Sequence, residues 1–523
     1  MPSADQISNK RAGVLDAIER IGNALPDPVL IFVWLSLVLV AASCFAAAAD
    51  YSAVHPLTGE VLHAKSLLSS ANLRRLFVEM PQTFAAFPPL GLVLVVMFGA
   101  AVAERSGFFA ASIGRAVRNT PTGLLTPIIF LIGLLSHQAS DAAYVVLIPL
   151  AALIYQQAGR HPLIGVAVTY AGISGAFAAN VLPGQFDVLL LGITQSAARL
   201  IEPARQLNPL GNWWFTATLG AVLLFVAWWV TESFVRPRLE SVAVDATGET
   251  AGAGADMRRE IDPASDRRGL IHASIAIVCV LGIFAALTLW PEFAPLVDRS
   301  ANGAARYAPF YQSLVAGFML IFLAAGWFYG RAVGTIRTHR DVVAMMVSGL
   351  KELTPYFVLA FFAAHFIAMF GWSNLGPIIA INGAEWLRGL GVGTVAMLLP
   401  LLLLTMLFDF LIGSASAKWS AMAPVLVPML MLVGVAPEMT TAAFRVGDSI
   451  VNIITPVAAN FVLVLVMCQR WNKNFGVGSL IAMMLPYSIA FGLTGIVLVV
   501  IWAGFELPLG PGAPAMLLHG AAP

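Results

Sequence analysis

Apolar residues occur along this chain in runs of membrane-spanning length, and short polar stretches interrupt some of the runs. Uninterrupted runs, each predicted to form one transmembrane helix, cover residues 28–48, 84–105, 209–235, 269–291, 308–329, 353–372 and 477–503. These lengths match the roughly 20 apolar residues that a helix needs to cross a bilayer. Two more runs, 162–200 and 437–468, contain Gly, Pro and polar residues in their interior and predict broken helices.

Two other apolar stretches predict re-entrant hairpins, because each has two short arms around a polar tip. Residues 121–158 carry the tip S-H-Q-A-S-D-A, and residues 391–432 carry the tip I-G-S-A-S-A-K-W. Irregular backbone and charge at membrane depth are tolerated only where they are buried in protein or line a water-filled cavity. The predicted fold class is therefore an all-α polytopic membrane protein with nine transmembrane helices and two re-entrant hairpins.

Composition and the placement of charge support a membrane protein and predict its orientation. The chain is 59% hydrophobic and 11% charged, whereas soluble domains carry about 25% charged residues. With a cytoplasmic N-terminus, 19 of the 29 Lys and Arg residues fall in predicted cytoplasmic segments and 8 in periplasmic ones. Positive charge concentrates on the cytoplasmic side of membrane proteins, so we expect a cytoplasmic N-terminus and a periplasmic C-terminus. The sequence has no basic stripe typical of nucleic-acid binding.

The order of these segments predicts two inverted repeats. Two crossings precede the first hairpin and seven precede the second, so the hairpins enter from opposite sides, as in transporters with alternating access. The predicted domains are a cytoplasmic amphipathic segment at 1–27, a first half at 28–235, a flexible cytoplasmic linker at 236–268 and a second half at 269–523.

The polar residues of the first half suggest binding of a coupling ion. Ser140 and Asp141 lie at the hairpin tip, and Asn180 and Asp187 lie in the broken helix. Carboxylate, amide and hydroxyl oxygens bind small hard cations, and a buried carboxylate can instead take up a proton. Small polar residues also join helices without binding anything, which is the alternative for Ser174.

The second half carries residues suited to an aromatic acid. Arg445 and Asp448 share a helix face at i and i+3 and are predicted to pair. Arg445 could grip a carboxylate, and Trp419 offers a flat face to a ring. The alternative is a static ion pair with Trp419 as packing. Lys418 is expected to extend towards the membrane surface rather than to bind.

Two competing classes of function are less consistent with these segments. G-I-S-G at 172–175 matches the nucleophile motif of intramembrane serine proteases, with His365 as a nominal base. Such a short match arises easily in apolar sequence, and it leaves Arg445, Asp448 and both hairpins unexplained. A passive channel would need a ring or filter motif, whereas broken helices with opposite charges favour a site that closes.

Longer motifs resemble the p-aminobenzoyl-glutamate transporter (AbgT) family over essentially the whole chain. They are V-L-D-A-I-E-R-I-G-N-A-L-P-D-P-V-L at 14–30, A-S-D-A-A-Y-V-V-L-I-P-L-A-A-L-I at 139–154, G-R-H-P-L-I-G at 159–165, I-G-S-A-S-A-K-W-S-A-M-A-P at 412–424 and F-R-V-G-D-S-I-V-N-I-I-T-P at 444–456. The resemblance implies a homodimer in the bacterial inner membrane and ion-coupled transport of p-aminobenzoyl-glutamate, or of p-aminobenzoate and sulfonamides as an antiporter. Another small carboxylate is the alternative substrate.

The resemblance also implies which residues act. The family's functional positions fall on Asp187, Ser416, Trp419, Pro437, Arg445, Asp448 and Pro456. We therefore predict a substrate site of Ser416, Trp419, Arg445, Asp448, Pro437 and Pro456, and an ion-coupling set of Asp187, Asn180, Ser140, Asp141, Asp409 and Asn452. Asp409 departs from the family, which often has Asn there, and so bears on the coupling ion. We expect no cofactor, no enzymatic activity, and a proton or sodium as that ion.

Overall fold

The protein is almost entirely helical. The computed structural model describes residues 28–55, 59–118, 122–136, 140–242, 244, 263–291, 293–301 and 306–517. In chain order its helices are α1 Pro28–Ala48, α2 Ser70–Val78, α3 Met80–Ala85, α4 Pro88–Arg105, α5 Phe108–Arg118, α6 Leu125–Leu135, α7 Ser140–Gln157, α8 Pro162–Tyr170, α9 Gln185–Ala198, α10 Trp213–Val230, α11 Arg236–Leu239, α12 Pro263–Leu289, α13 Ala308–Val333, α14 His339–Glu352, α15 Thr354–Trp372, α16 Leu375–Gly389, α17 Thr394–Asp409, α18 Ala415–Leu432, α19 Pro437–Val451, α20 Ala459–Gln469 and α21 Val477–Gly504.

Five short elements complete the secondary structure. Strand β1 (Ser52–Val54) pairs antiparallel with β2 (Val61–His63), with Ala53 opposite Leu62. A 3₁₀ turn covers Thr122–Leu124. Single π-helical segments follow α8 at Ala171–Gly175 and α10 at Thr231–Val235. The first of them directly precedes the irregular stretch 176–184 of the first broken helix. Turns of this kind are rare and concentrate at functional sites.

The apolar helices confirm a multi-pass membrane protein. Within the described residues, seven helices are long and apolar enough to cross a membrane, and an eighth span results if α16 and α17 are taken together. Those two helices meet at an angle of 119°. Residues 375–389, which belong to none of the predicted spans or hairpins, form α16 with an apolar buried face.

The polar stretches of the sequence coincide with helix ends. In the segment 121–158, α6 ends at Leu135 and α7 begins at Ser140, and in 391–432, α17 and α18 are separated at 410–414. In the segment 162–200, α8 and its π turn end before a nine-residue irregular stretch, 176–184, and α9 follows. In 437–468, α19 and α20 are separated at 452–458.

Two parts of the predicted domain scheme lie largely outside the described residues. Residues 1–27 are outside them altogether, as is most of the linker. The linker boundary changes at both ends, since α11 occupies 236–239 and α12 already begins at Pro263.

The helices that carry the polar breaks pack into one core. Helix α9 lies against α4 on one side and α18 on the other, α17 packs against α19, and α21 packs against α10 and α19. A separate layer pairs α12 with α13 and α13 with α4. Many apolar side chains of α12 are exposed, for example Ile275, Val278 and Ile283. Such a surface suits lipid as the solvent.

Candidate functional site

The helix breaks of the two halves meet around a cavity of about 460 Å³. The first half contributes residues at the π turn, the first break and the start of α9, and the second contributes the tip before α18, the second break and the start of α20. The lining residues are Val93, Met97, Tyr144, Ile173, Ser174, Phe177, Gln185, Phe186, Leu189, Leu353, Tyr356, Gly413, Ala415, Ser416, Asn452, Ala458 and Asn460. The volume falls within the range of about 300–1,000 Å³ typical of small-molecule sites.

The described lining of this cavity combines apolar and polar residues and carries no charged side chain. The hydroxyl groups of Tyr144 and Ser174 hydrogen-bond at 2.7 Å. Phe177 and Phe186 stack at a tilt, with ring centroids 4.2 Å apart. Ser416 lies in the first turn of α18, where its neighbour Ser414 caps the helix by accepting from the backbone N–H of Ala417. The cavity therefore combines aromatic faces with hydroxyl and amide groups.

Asp187 pairs with Arg445 and joins the two halves. One Asp187 oxygen accepts from Arg445 Nη1 at 2.6 Å, and the other accepts from Asn180 Nδ2 at 2.5 Å and from the backbone N–H of Gly184 at 2.8 Å. Asp187 lies in the first turn of α9, where the helix dipole also favours a negative charge. The Arg445 guanidinium lies over the Phe186 ring, 5.5 Å from its centroid.

The predicted pair between Arg445 and Asp448 does not form. The two residues share α19, but each has a partner on another helix: Arg445 pairs with Asp187, and Asp448 Oδ1 lies 2.6 Å from Lys418 Nζ. Lys418 also contacts Asp409, the last residue of α17. The expectation that Lys418 extends to the membrane surface was wrong, since its side chain is fully buried. Two carboxylates hold the ammonium in the interior.

Trp419 lies inside the protein rather than in the cavity lining. Its side chain is fully buried, stacks on Phe444 with ring centroids 4.3 Å apart, and donates from Nε1 to Thr194 Oγ1 at 2.8 Å. One ring face is thus covered by Phe444. The expectation that Trp419 offers this flat face to a substrate ring does not hold in this conformation, because packing already uses it.

Comparison with known proteins identifies the family. The family model of AbgT transporters matches residues 13–517. The chain belongs to the AbgT family of transporters. A p-aminobenzoyl-glutamate transport protein of Escherichia coli (strain K12) is 32% identical over 495 residues, which cover 95% of each chain. Because its relatives are transport proteins, the chain is not an enzyme.

Two solved structures share the AbgT fold of this chain. The YdaH transporter of Alcanivorax borkumensis superimposes with a TM-score of 0.87 at 41% identity, covering 93% of this chain and all of that one. The second is MtrF of Neisseria gonorrhoeae, which belongs to a class of antimetabolite efflux pumps. It superimposes with a TM-score of 0.88 at 37% identity and covers 96% of this chain.

The remaining predicted positions lie at helix ends and in the second break. Asn452 lines the cavity, and its backbone carbonyl accepts from the Tyr170 hydroxyl at 3.1 Å. Pro437 starts α19, and Pro456 lies in the second break. Ser140 and Asp141 begin α7, but their side chains lie outside the described part of the protein.

The residues of the rival protease reading do not form a catalytic pair. Ser174 bonds to Tyr144, whereas His365 Nδ1 bonds to the backbone carbonyl of Phe361 at 2.6 Å. In the described residues no group of three or more His, Cys, Asp or Glu could hold a metal ion.

A second, much smaller cavity lies on the other side of the pair of Asp187 and Arg445. Its volume is about 30 Å³, and it is lined by residues that include both members of the pair, Glu438 and Thr441. A space of this size holds roughly one water molecule. The ion pair thus borders this space, while its neighbour Phe186 borders the large cavity.

Sequence reasoning missed most of the residues that form the walls of the large cavity. Phe177, Gln185 and Phe186 flank the first break, and Asn460 and Tyr356 lie in the first turns of their helices. Their closeness to a Gly- and Pro-containing break was the available signal. Charge gives no signal for these residues, because the described lining is uncharged.

Proposed function

We propose that this AbgT protein is an ion-coupled secondary transporter of p-aminobenzoyl-glutamate and related folate-pathway compounds, including p-aminobenzoate and sulfonamides. The observation that carries the proposal is the cavity of about 460 Å³ at the junction of both helix breaks. Broken helices around a central site are the arrangement by which repeat-built transporters bind substrate. The name of the Escherichia coli relative supports the substrate class.

The cavity suits a flat aromatic compound with polar ends. Phe177 and Phe186 supply aromatic surface, while Tyr144, Ser174, Ser416 and Asn452 supply hydrogen-bonding groups. We propose that substrate occupies this cavity and that Ser416 and Asn452 contact it. Trp419, Arg445, Asp448, Pro437 and Pro456 then act by fixing the helices behind the lining, because none of them reaches the described cavity surface.

We propose that Asp187 and Asn180 respond to the coupling ion. Asp187 holds the irregular stretch 176–184 to α9 through Asn180 and Gly184, and holds α9 to α19 through Arg445. A cation or proton that competes for the Asp187 carboxylate would weaken all three contacts together. Loss of the pair would change the positions of the two halves relative to each other.

We also propose the finer arrangement in the membrane. Nine crossings with two hairpins, a cytoplasmic N-terminus and a periplasmic C-terminus agree with the excess of Lys and Arg in the predicted cytoplasmic segments. The family resemblance adds a homodimer in the bacterial inner membrane. Native mass spectrometry of the protein in detergent tests the dimer, and a monomer alone would contradict it.

Reconstitution in liposomes tests the function. Labelled p-aminobenzoyl-glutamate and p-aminobenzoate are followed under a proton gradient alone and then under a sodium gradient alone. Accumulation of either compound against its own gradient supports the proposal and names the ion. Flux that only runs downhill under both gradients would indicate a facilitator, and transport of a different small carboxylate alone would correct the substrate.

A matched pair of variants tests the location of the site. Ser416→Leu places an apolar side chain in the cavity, whereas Ser274→Leu makes the same change on the exposed surface of α12. We expect Ser416→Leu to lose transport and binding, and Ser274→Leu to retain both. Equal transport by the two variants would place the substrate elsewhere.

A further inference from the structure

Three charged side chains lie buried together beside the substrate cavity, and the proposed function does not use them as a group. Asp409 ends α17, Lys418 lies in the first turn of α18, and Asp448 lies in the last turn of α19. The Lys418 ammonium contacts both carboxylates, and all three side chains are at most 1% exposed. We call these three residues the charge centre.

With every group ionised, the charge centre carries one net negative charge. An uncompensated charge in a low-dielectric interior is strongly unfavourable. Asp409 adds to the cost, because its Oδ2 is buried and accepts no hydrogen bond from any described residue. The centre therefore lacks one positive charge, and an oxygen is available to receive it.

The helices packed against the charge centre do not supply that positive charge. These helices are α9, α15, α16, α19 and α21. Among their described residues the cations are engaged elsewhere, and the other titratable groups are acids, a histidine and phenols. The cations are Arg445, which pairs with Asp187, and Arg388, which donates to the Leu432 carbonyl. The acids are Glu385 and Glu438, besides Asp187. The histidine is His365, bonded to the Phe361 carbonyl, and the phenols are Tyr356 and Tyr487, the latter bonded to Thr231.

A proton fits this place better than a sodium ion. Sodium needs several oxygen ligands around it, and the position between the two carboxylates is already occupied by the Lys418 ammonium, which would repel a second cation. A proton from water adds to one carboxylate oxygen without displacing the ammonium. The net charge of the centre then changes from −1 to zero.

We propose that Asp409, Lys418 and Asp448 form a proton-binding centre, separate from the ion-responsive contacts of Asp187, and that a proton bound there is coupled to transport. The inference rests on the proposed function and names its ion. The cavity-lining residues Gly413 and Ser416 lie between Asp409 and Lys418 in the chain, and Asn452 lies one helical turn after Asp448. A movement of the α17–α18 tip on substrate binding therefore also moves the groups that hold the proton.

Asp409→Asn tests the proposal with little change in shape. The substitution removes the extra negative charge, so that Lys418 and Asp448 remain as a neutral pair. Gel filtration and the melting temperature in detergent check that the variant folds as the unchanged protein does. The variant should lose accumulation driven by a proton gradient, so that the internal concentration rises no higher than the external one.

Glu232→Gln is the matched control, since it also neutralises a carboxylate in ion pairs. Glu232 pairs with Arg160 at 3.1 Å and with Arg236 at 2.8 Å, at the other end of α10 from the cavity. This variant should keep proton-driven accumulation. If Asp409→Asn accumulates substrate as the unchanged protein does, the centre is a static ion cluster and the proposal is wrong.

A spectroscopic measurement decides the question independently of transport. Infrared difference spectra between alkaline and acidic pH should show a carboxylic acid band in the unchanged protein that Asp409→Asn lacks and Glu232→Gln retains. Identical spectra for all three proteins would overturn the proton centre even if transport is normal. Absence of substrate flux in the unchanged protein, together with the expected band, would overturn the proposed function alone.

Discussion

At the scale of single residues, the buried charges depend on partners that are distant in sequence. Arg445 takes its carboxylate from α9, 258 positions away in the chain. The pair contributes to stability only while it is intact, because removing one member leaves the other charge buried without compensation. Such a loss costs about 3–5 kcal/mol, whereas replacing both members with apolar groups can be nearly neutral.

Asp187→Ala should therefore destabilise the protein more than a double change does. We expect a marked drop in melting temperature for Asp187→Ala in detergent, and recovery of much of the loss in Asp187→Leu combined with Arg445→Met. A thermal-shift series on Asp187→Leu, Arg445→Met and the double variant measures the coupling, because all three carry the same substitutions. Additive effects would show that the two side chains act independently.

Trp419 is predicted to stabilise the fold without binding the ring of the substrate. Trp419→Phe keeps an aromatic ring to stack on Phe444 but leaves Thr194 without the indole N–H. We expect the melting temperature to fall, with a cost of about 1–3 kcal/mol for the lost bond and the change in packing. The Kd for p-aminobenzoate should stay within about twofold, which is under 0.5 kcal/mol.

Isothermal titration of p-aminobenzoate against Trp419→Ala completes this test. A direct stacking contact would contribute about 0.5–1.5 kcal/mol. If both Trp419 variants lose affinity for p-aminobenzoate by that amount while their melting temperatures stay unchanged, Trp419 contacts the substrate directly.

At the scale of elements, the contact between the second hairpin tip and the second break depends on a glycine. A Cβ added at Gly413 would lie 2.8 Å from the Val457 carbonyl oxygen, closer than a carbon normally approaches backbone. The tip and the break can meet at this distance only because the position has no side chain. This contact closes one wall of the cavity.

Gly413→Ala is thus expected to reduce transport strongly while the protein still inserts and folds. The clash must push the tip away from the break and change the cavity. Gly393→Ala, at the start of the same hairpin, is the control, because a Cβ there meets nothing within 4 Å. Uptake assays and gel filtration of both variants make the comparison. Normal uptake by Gly413→Ala would mean that this wall does not matter to the substrate.

At the scale of the whole molecule, the predicted inverted repeats place the two halves in the membrane with opposite orientation. Single cysteines in a background without Cys44, Cys279 and Cys468 can test the proposed topology. Ser241→Cys, after α11, should react with a membrane-impermeant maleimide only after the membrane is permeabilised. Ser300→Cys, between α12 and α13, should react in cells with a permeable outer membrane but an intact inner one. The reverse pattern would invert the topology.

The sequence alone was sufficient for the class of protein and for the places where its helices break. Runs of apolar residues can be compared directly with the thickness of a bilayer, and Gly, Pro and polar residues within them identify breaks at 176–184 and 452–458 without knowledge of the neighbours. The family followed from the motifs at 14–30, 139–154, 159–165, 412–424 and 444–456, which are visible without knowledge of the fold.

Only the tertiary structure decided which charges meet and which side chains face the cavity. Local spacing along α19 favoured a pair of Arg445 with Asp448, but the packing of α9 and α18 against that helix gave each of them a partner from another element. Trp419 likewise lies against Phe444 instead of the cavity. Periodicity along a chain specifies the face of a helix on which a residue lies, whereas its partner depends on the helix that packs against that face.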